Sequence, residues 1–87
     1  MGNVMINRAF PDYDHATLPP IPSTWEDISY QHDTCPSWRV GGFQVFIDYE
    51  DNEERETQGV RFFVNDIETG DGLLLTDNWQ EILEFVK

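Results

Sequence analysis

Trp38-Arg39-Val40-Gly41-Gly42-Phe43-Gln44-Val45-Phe46-Ile47-Asp48-Tyr49 is the stretch that decides the fold. Two β-prone runs flank a Gly-Gly pair, and glycine supplies the positive φ angles that a tight hairpin turn requires. Phe43, Val45, Ile47 and Tyr49 then share one face, by the two-residue period of a strand. Moving outward, Val60 to Ile67 forms a third run. Its Phe62 and Phe63 are neighbours and must face opposite sides, so both faces of the sheet are expected to be partly covered. Thr69-Gly70-Asp71-Gly72 is a turn, and Leu73-Leu74-Leu75 is a short strand suited to a buried position. Thr76 or Asp77 is placed to cap a final helix. In that helix Trp79, Ile82, Leu83 and Val86 fall at i, i+3, i+4 and i+7, the stripe a helix turns to a core. Gln80, Glu81, Glu84 and Lys87 take the wet side, with Lys87 at the end where a cation suits the helix dipole.

The other side of the hairpin follows different rules. All five prolines (Pro11, Pro19, Pro20, Pro22, Pro36) lie in the first 36 residues, and five of the six glycines lie beyond residue 40. Leu18-Pro19-Pro20-Ile21-Pro22 forms neither helix nor interior strand, because three residues lack an N–H and each proline restricts the residue before it. Ser23-Thr24-Trp25-Glu26 fits a capping box and predicts a short helix over 24–31, with Trp25 and Ile28 on its buried side. The expected fold is α+β: a small antiparallel sheet of three or four strands with a C-terminal helix packed on one face. An extended proline-containing N-terminal segment with a short helix precedes it. The chain is expected to be a single domain, 1–87, with 1–22 extended and 23–87 as the compact core.

Composition bounds the function. Apolar residues make up 39% of the 87 and aromatics 14%, enough for a folded core in one domain. Five Lys and Arg stand against seventeen Asp and Glu, a net charge of -12. That sign excludes ordinary phosphate-neutralising contact with DNA or RNA and argues against anionic lipid. One cysteine excludes an intrachain disulfide and favours a reducing compartment. No apolar run reaches the roughly 18 residues of a membrane span. The N-terminal Met1-Gly2-Asn3-Val4-Met5-Ile6 has no basic region, and Ile6 stands where a myristoylation signal has Ser or Thr. A cytoplasmic protein is expected, monomeric through self-repulsion.

Residues capable of chemistry form incomplete sets. His32, Asp33 and Cys35 are close, as are Asp12, Asp14 and His15, but a structural zinc site needs four ligands in paired spacings and no second cysteine exists. Asp48-Tyr49-Glu50-Asp51-Asn52 starts like a calcium loop. Its sixth position is Glu53 where glycine makes the turn, and its twelfth is Gly59 where a bidentate glutamate belongs. Catalysis by Cys35 with His32 would need an orienting third group, for which Asp33 is at hand, and an oxyanion pocket, and 87 residues leave little volume for a substrate cavity. No catalytic, metal or cofactor residue is therefore assigned, and no enzyme activity is expected.

Charge arrangement is the feature that stands out. Asp48, Glu50, Asp51, Glu53, Glu54 and Glu56 place six acids in nine residues against Arg55 alone, about -5 in the segment joining two strands. Asp66, Glu68 and Asp71 surround the next turn, and Glu26, Asp27 and Asp33 the first helix. Like charges so close repel unless they are solvated or bound to something positive. One reading is a solubility surface. The other is nucleic-acid mimicry: carboxylates at i and i+2 of a strand stand about 7 Å apart, close to two phosphate steps of about 3.4 Å along one DNA strand. Aromatics beside the acids, Tyr49 above all and then Tyr30, would add stacking contacts of the kind bases make.

In size, charge of -12, a compact α+β unit and the acidic stretch Asp48 to Glu56, the chain resembles the small acidic anti-CRISPR proteins of phages and mobile elements, several of them DNA mimics. The segments Ser23-Thr24-Trp25-Glu26-Asp27 and Thr34-Cys35-Pro36-Ser37-Trp38 are also similar to small bacterial proteins found in such settings. The resemblance is of type and carries over no catalytic residue. It implies an inhibitor, acting in the cytoplasm of a bacterial host, that blocks the DNA or PAM-binding groove of a CRISPR effector complex, with type I favoured. The partner is then a basic nucleic-acid-binding protein, with no direct nucleic acid and no membrane. The partner-binding set is Glu26, Asp27, Asp48, Tyr49, Glu50, Asp51, Glu53, Glu54, Glu56, Asp66, Glu68 and Asp71. The alternative is an acidic regulatory or scaffold module with apolar contacts through Phe46, Phe63 or the proline segment.

Overall fold

The computed structural model describes residues 10, 13–30, 33, 35–51, 53, 55 and 59–87. Five strands form one antiparallel sheet in chain order: β1 Glu26–Asp27, β2 Ser37–Val40, β3 Phe43–Ile47, β4 Phe62–Asp66 and β5 Gly72–Thr76. Each strand pairs with its predecessor, so every connection joins neighbouring strands and successive connections alternate between the two ends of the sheet. The helix α1, Trp79–Phe85, packs across β4 and β5. The chain is α+β.

The Gly-Gly hairpin joins β2 to β3, with Val40 opposite Phe43. Gly41 carries the positive φ, +59°, and this one left-handed residue turns the chain at a position where a Cβ would be strained. One sheet face holds Trp38, Val45, Ile47, Phe62 and Val64, which meet Ile82 and Val86 from the C-terminal end and Phe10 and Tyr13 from the N-terminal segment. Leu18, Ile21 and Trp25 pack on that cluster too. Apolar residues of the N-terminal side thus complete the cover that the seven-residue helix gives β4 and β5. Within 1–22, a short 3-10 turn occupies His15–Thr17, while 18–22 has neither helix nor strand.

The helix expected over 24–31 is absent, and β1 stands in its place as the fifth strand. Trp25 N donates to Pro22 O in a tight turn (3.1 Å), and Ile28 N donates to Ser37 O (3.0 Å), continuing the pairing of β1 with β2. Asp27 Oδ1 accepts from Ser29 N (3.0 Å), a local side-chain bond that competes with helix formation. Thr24, Trp25, Ile28, Ser29 and Tyr30 are indifferent helix formers, so a short isolated helix there gains less than a ladder on β2.

The helix cap also differs. Asn78 caps α1, its side chain accepting from Gln80 N (3.0 Å). Asp77 is engaged elsewhere: its Oδ1 accepts from Arg61 N (2.8 Å). The helix ends at Phe85, so Lys87 lies beyond its last turn. The stripe itself stands as expected, with Ile82 and Val86 buried and Trp79 and Leu83 half-buried.

Candidate acidic interface

The acidic segment begins where β3 ends, and its first acid is not on the surface. Asp48 is fully buried. Its N donates to Arg61 O (2.7 Å), its Oδ1 accepts from Tyr49 N (2.8 Å), and its carbonyl accepts from Tyr13 Oη (2.8 Å) and Arg61 Nε (3.1 Å). Arg61 Nη2 also donates to Tyr13 Oη (3.1 Å) and Thr17 O (2.9 Å). Asp48 and Arg61 thus pin the N-terminal segment to the sheet. Burial raises the Tyr13 phenol above its ordinary value, and the neighbouring Arg61 pulls weakly the other way. Tyr49 is half-buried and leans on the Tyr13 ring at 5.0 Å, so it belongs to this knot and is no open stacking platform. Tyr30 is exposed.

Beyond Tyr49 the chain loops outward around a guanidinium. Arg55 donates from Nε to Tyr49 O (2.7 Å), from Nη2 to Glu50 O (2.8 Å) and from Nη1 to Gly59 O (2.7 Å). The cation thereby serves main-chain carbonyls, and among the described residues the carboxylate it contacts is Asp77, at 3.5 Å. Glu50, Asp51 and Glu53 are exposed. No cation among the described residues lies in ion-pair contact with them. Asp77, 65% exposed, joins them at the same end of the sheet. The sequence offers no local signal for that: Asp77 reads as a helix cap, and its partner Arg55 is 22 residues away. Glu54 and Glu56 lie outside the described residues.

The remaining acids do not join this group. Asp66, Glu68 and Asp71 sit at the opposite end, where Ile67 N donates to Gly42 O (3.0 Å). The strands between the two ends span roughly 15 Å. Asp66 is a turn former, its Oδ1 accepting from Glu68 N (2.9 Å) and Thr69 N (3.2 Å). Glu26 is exposed on the short edge strand β1 and Asp27 is buried. The expected row of strand carboxylates at i and i+2 is therefore not formed. Asp48 points inward, β3 ends at Ile47, and Glu50, Asp51 and Glu53 stand on the connection that follows it. The physical reason is that the Asp48 carboxylate turns in at the sheet's end to accept from the main-chain Tyr49 N.

The face of the sheet opposite the core carries Phe46 and Phe63, stacked at 4.6 Å and 9°. Phe46 is buried and Phe63 half-buried. Cys35 is buried, and among the described residues no group of three His, Cys, Asp or Glu is placed to hold a metal ion. His32 and Asp12 lie outside the described residues. No described helix is long and apolar enough to cross a membrane. Comparison with protein-family models, with curated proteins and with solved structures finds no match to this chain.

Proposed function

We propose that the chain is a non-enzymatic inhibitory protein that binds a basic nucleic-acid-binding partner by presenting Glu50, Asp51, Glu53 and Asp77 to the groove that holds DNA. The observation that supports this reading is the use of Arg55. Its guanidinium binds the carbonyls of Tyr49, Glu50 and Gly59 and so ties down the main chain at these points without neutralising Glu50, Asp51 or Glu53. Solvated carboxylates on one end of a sheet suit a groove lined with Lys and Arg, which recognises charge and spacing more than sequence. The mimicry is of a charge cluster on a loop, not of a phosphate ladder along a strand. In line with the resemblance, the target class is a CRISPR effector complex, type I first, in the cytoplasm of a bacterial host.

The test is a pull-down with tagged protein from a lysate containing such complexes, washed at low and high salt and competed with duplex DNA. A basic partner that salt strips and DNA displaces is the expected result. The triple reversal Glu50→Lys, Asp51→Lys, Glu53→Lys moves the net charge from -12 to -6 (-12 + 6) and is expected to abolish recovery. Reversing Glu26, Glu68 and Glu84 instead also gives -6 (-12 + 6) and is expected to leave recovery largely intact. Equal loss from both triples, or a salt-resistant partner, would overturn the assignment and favour the apolar interaction module.

A further inference from the structure

The two edges of the sheet follow opposite rules. β1 is two residues long and both are acids; short charged edges resist the addition of another strand. β5 runs five residues, Gly-Leu-Leu-Leu-Thr, without a charge or a proline, and among the described residues no strand lies beyond it. Its hydrogen-bonding phase can be read from its neighbours. Ile67 N donates to Gly42 O and Asp48 N to Arg61 O, so the odd positions of β4 bond to β3. Antiparallel pairing alternates. Phe62 and Val64 therefore bond to β5, as Asp66 N does in donating to Asp71 O (2.8 Å). Their register partners Thr76 and Leu74 bond inward. Leu75, between them, is left with its N–H and C=O directed out of the sheet; Leu73 is the extra residue where the register shifts between Val64 and Asn65, a bulge that leaves it unpaired with β4.

The side chains of Leu73 and Leu75 are 41% and 55% exposed. Leu75 stands opposite Phe63, which stands opposite Phe46, so it extends an apolar row across the face away from the core. We propose that β5 is a docking edge for an extended basic segment of a partner protein, added as a sixth strand. The open main-chain groups specify a strand, and the row fixes its pattern: apolar residues at two-residue spacing beside Leu73 and Leu75. The charge specifies the rest. Asp71 precedes β5, Asp77 follows it, and Glu81 accepts from Thr76 Oγ1 (2.6 Å) on the helix side. Lys or Arg between and beyond the apolar positions of the incoming strand complements these acids. A second copy is the wrong occupant. Two chains of -12 each would meet, and antiparallel β5 pairing would set Asp71 of one against Asp77 of the other. The flanking acids thus guard an apolar edge against self-pairing while admitting a cationic strand. The inference does not depend on whether the Glu50–Glu53 loop enters a groove.

The test uses the full chain and a short synthetic peptide alternating Leu and Lys with Lys at both ends. A second peptide is N-methylated at the positions whose N–H would face β5. Amide exchange and affinity are measured for both. The first peptide is expected to slow exchange at Leu75, and methylation to weaken binding by at least about tenfold, since main-chain bonds carry strand addition. Leu75→Lys, at an exposed position, is expected to keep the fold and weaken binding likewise. Equal affinity for the methylated peptide, or protection confined to the Glu50–Glu53 loop, would overturn the proposal. So would a peptide-free dimer that Leu75→Lys dissociates, because a second copy would then be the occupant.

Discussion

Replacing Arg55 with alanine tests whether the acidic loop is a shaped surface. The side chain is 12% exposed and makes three hydrogen bonds to carbonyls, at 2.7, 2.7 and 2.8 Å. Hydrogen bonds to a charged donor contribute ~1.5–3 kcal/mol each when buried. The Glu50 carbonyl belongs to an exposed residue and regains water on truncation, and the pair with Asp77, itself 65% exposed, adds little. The sum is about 2–4 kcal/mol, set against a total of about 4–13 kcal/mol for a domain of this length at ~0.05–0.15 kcal/mol per residue. Urea unfolding followed by tryptophan fluorescence should show that loss, and Tm should fall by about 10–25 °C. Arg55→Lys, with a single ammonium in place of the planar fork, should recover less than half of it. A stability within about 0.5 kcal/mol of the parent, the level of an inert surface change, would refute the reasoning. The variant also separates shape from charge in binding. It takes the net charge from -12 to -13 (-12 - 1), so attraction by bulk charge strengthens, whereas recognition of the loop's geometry weakens.

Asp48→Lys should unfold the chain, because it places an ammonium in a fully buried site, whereas Glu50→Lys should move stability by no more than about 0.5 kcal/mol; circular dichroism of the two variants checks this. Ile82→Ala should cost about 2–4 kcal/mol in urea unfolding, since Ile82 is the buried anchor of α1. Tyr13 supplies a pH dependence. Its folded pKa is raised, so the stabilisation it gives is complete below the unfolded phenol value of about 10 and is lost as pH rises through the folded value. Unfolding across that alkaline window should show a decline that Tyr13→Phe removes, at the cost of about 1 kcal/mol at neutral pH from its bond to Asp48. Gly41→Ala should cost about 1 kcal/mol by thermal unfolding, all of it from the backbone, because nothing lies within 4 Å of the new Cβ.

The hairpin, the two later strands and the final helix were legible because each carries its own signal, although the Leu73–Leu75 run, suited in sequence to a buried position, is an edge strand with Leu73 and Leu75 exposed. Gly41 marks a left-handed turn, Val45 and Ile47 alternate inward, and Ile82 and Val86 repeat at helical spacing. The segment around Glu26 was misread because its conformation is decided by a partner eleven residues on: Asp27 stands opposite Trp38 in the ladder. A capping-box pattern reports only local preference, and the ladder overrides it. Asp48 was misread for a related reason. In sequence it is the first of six acids; in the fold it belongs to the knot of Tyr13, Thr17 and Arg61, whose members are up to 48 residues apart. Asp77 was missed because its contact with Arg55 crosses between two connections at the same end of the sheet.

The fate of the two central arginines explains how so acidic a chain folds and still has a charged surface to offer. Arg55 and Arg61 lie in or beside the densest run of carboxylates, and both turn toward carbonyls: Tyr49, Glu50 and Gly59 for the one, Asp48 and Thr17 for the other. Had they paired with Glu50, Asp51 or Glu53, the loop would be neutralised but unshaped, since a carboxylate at a side-chain tip constrains the main chain weakly. Bonded to the backbone, the guanidiniums fix the chain and lower the local repulsion by their mere proximity, while the acid tips stay in water. Charge is thus reduced where it opposes folding and kept where a cationic partner can reach it. An acidic run selected for solubility alone has no need of that arrangement, because flexible, neutralised or scattered acids solvate a surface equally well. On the proposed reading the placement of Glu50, Asp51 and Glu53 by the Arg55 bonds is what a partner recognises, and its loss in Arg55→Ala is therefore the step on which a binding role and a solubility role part.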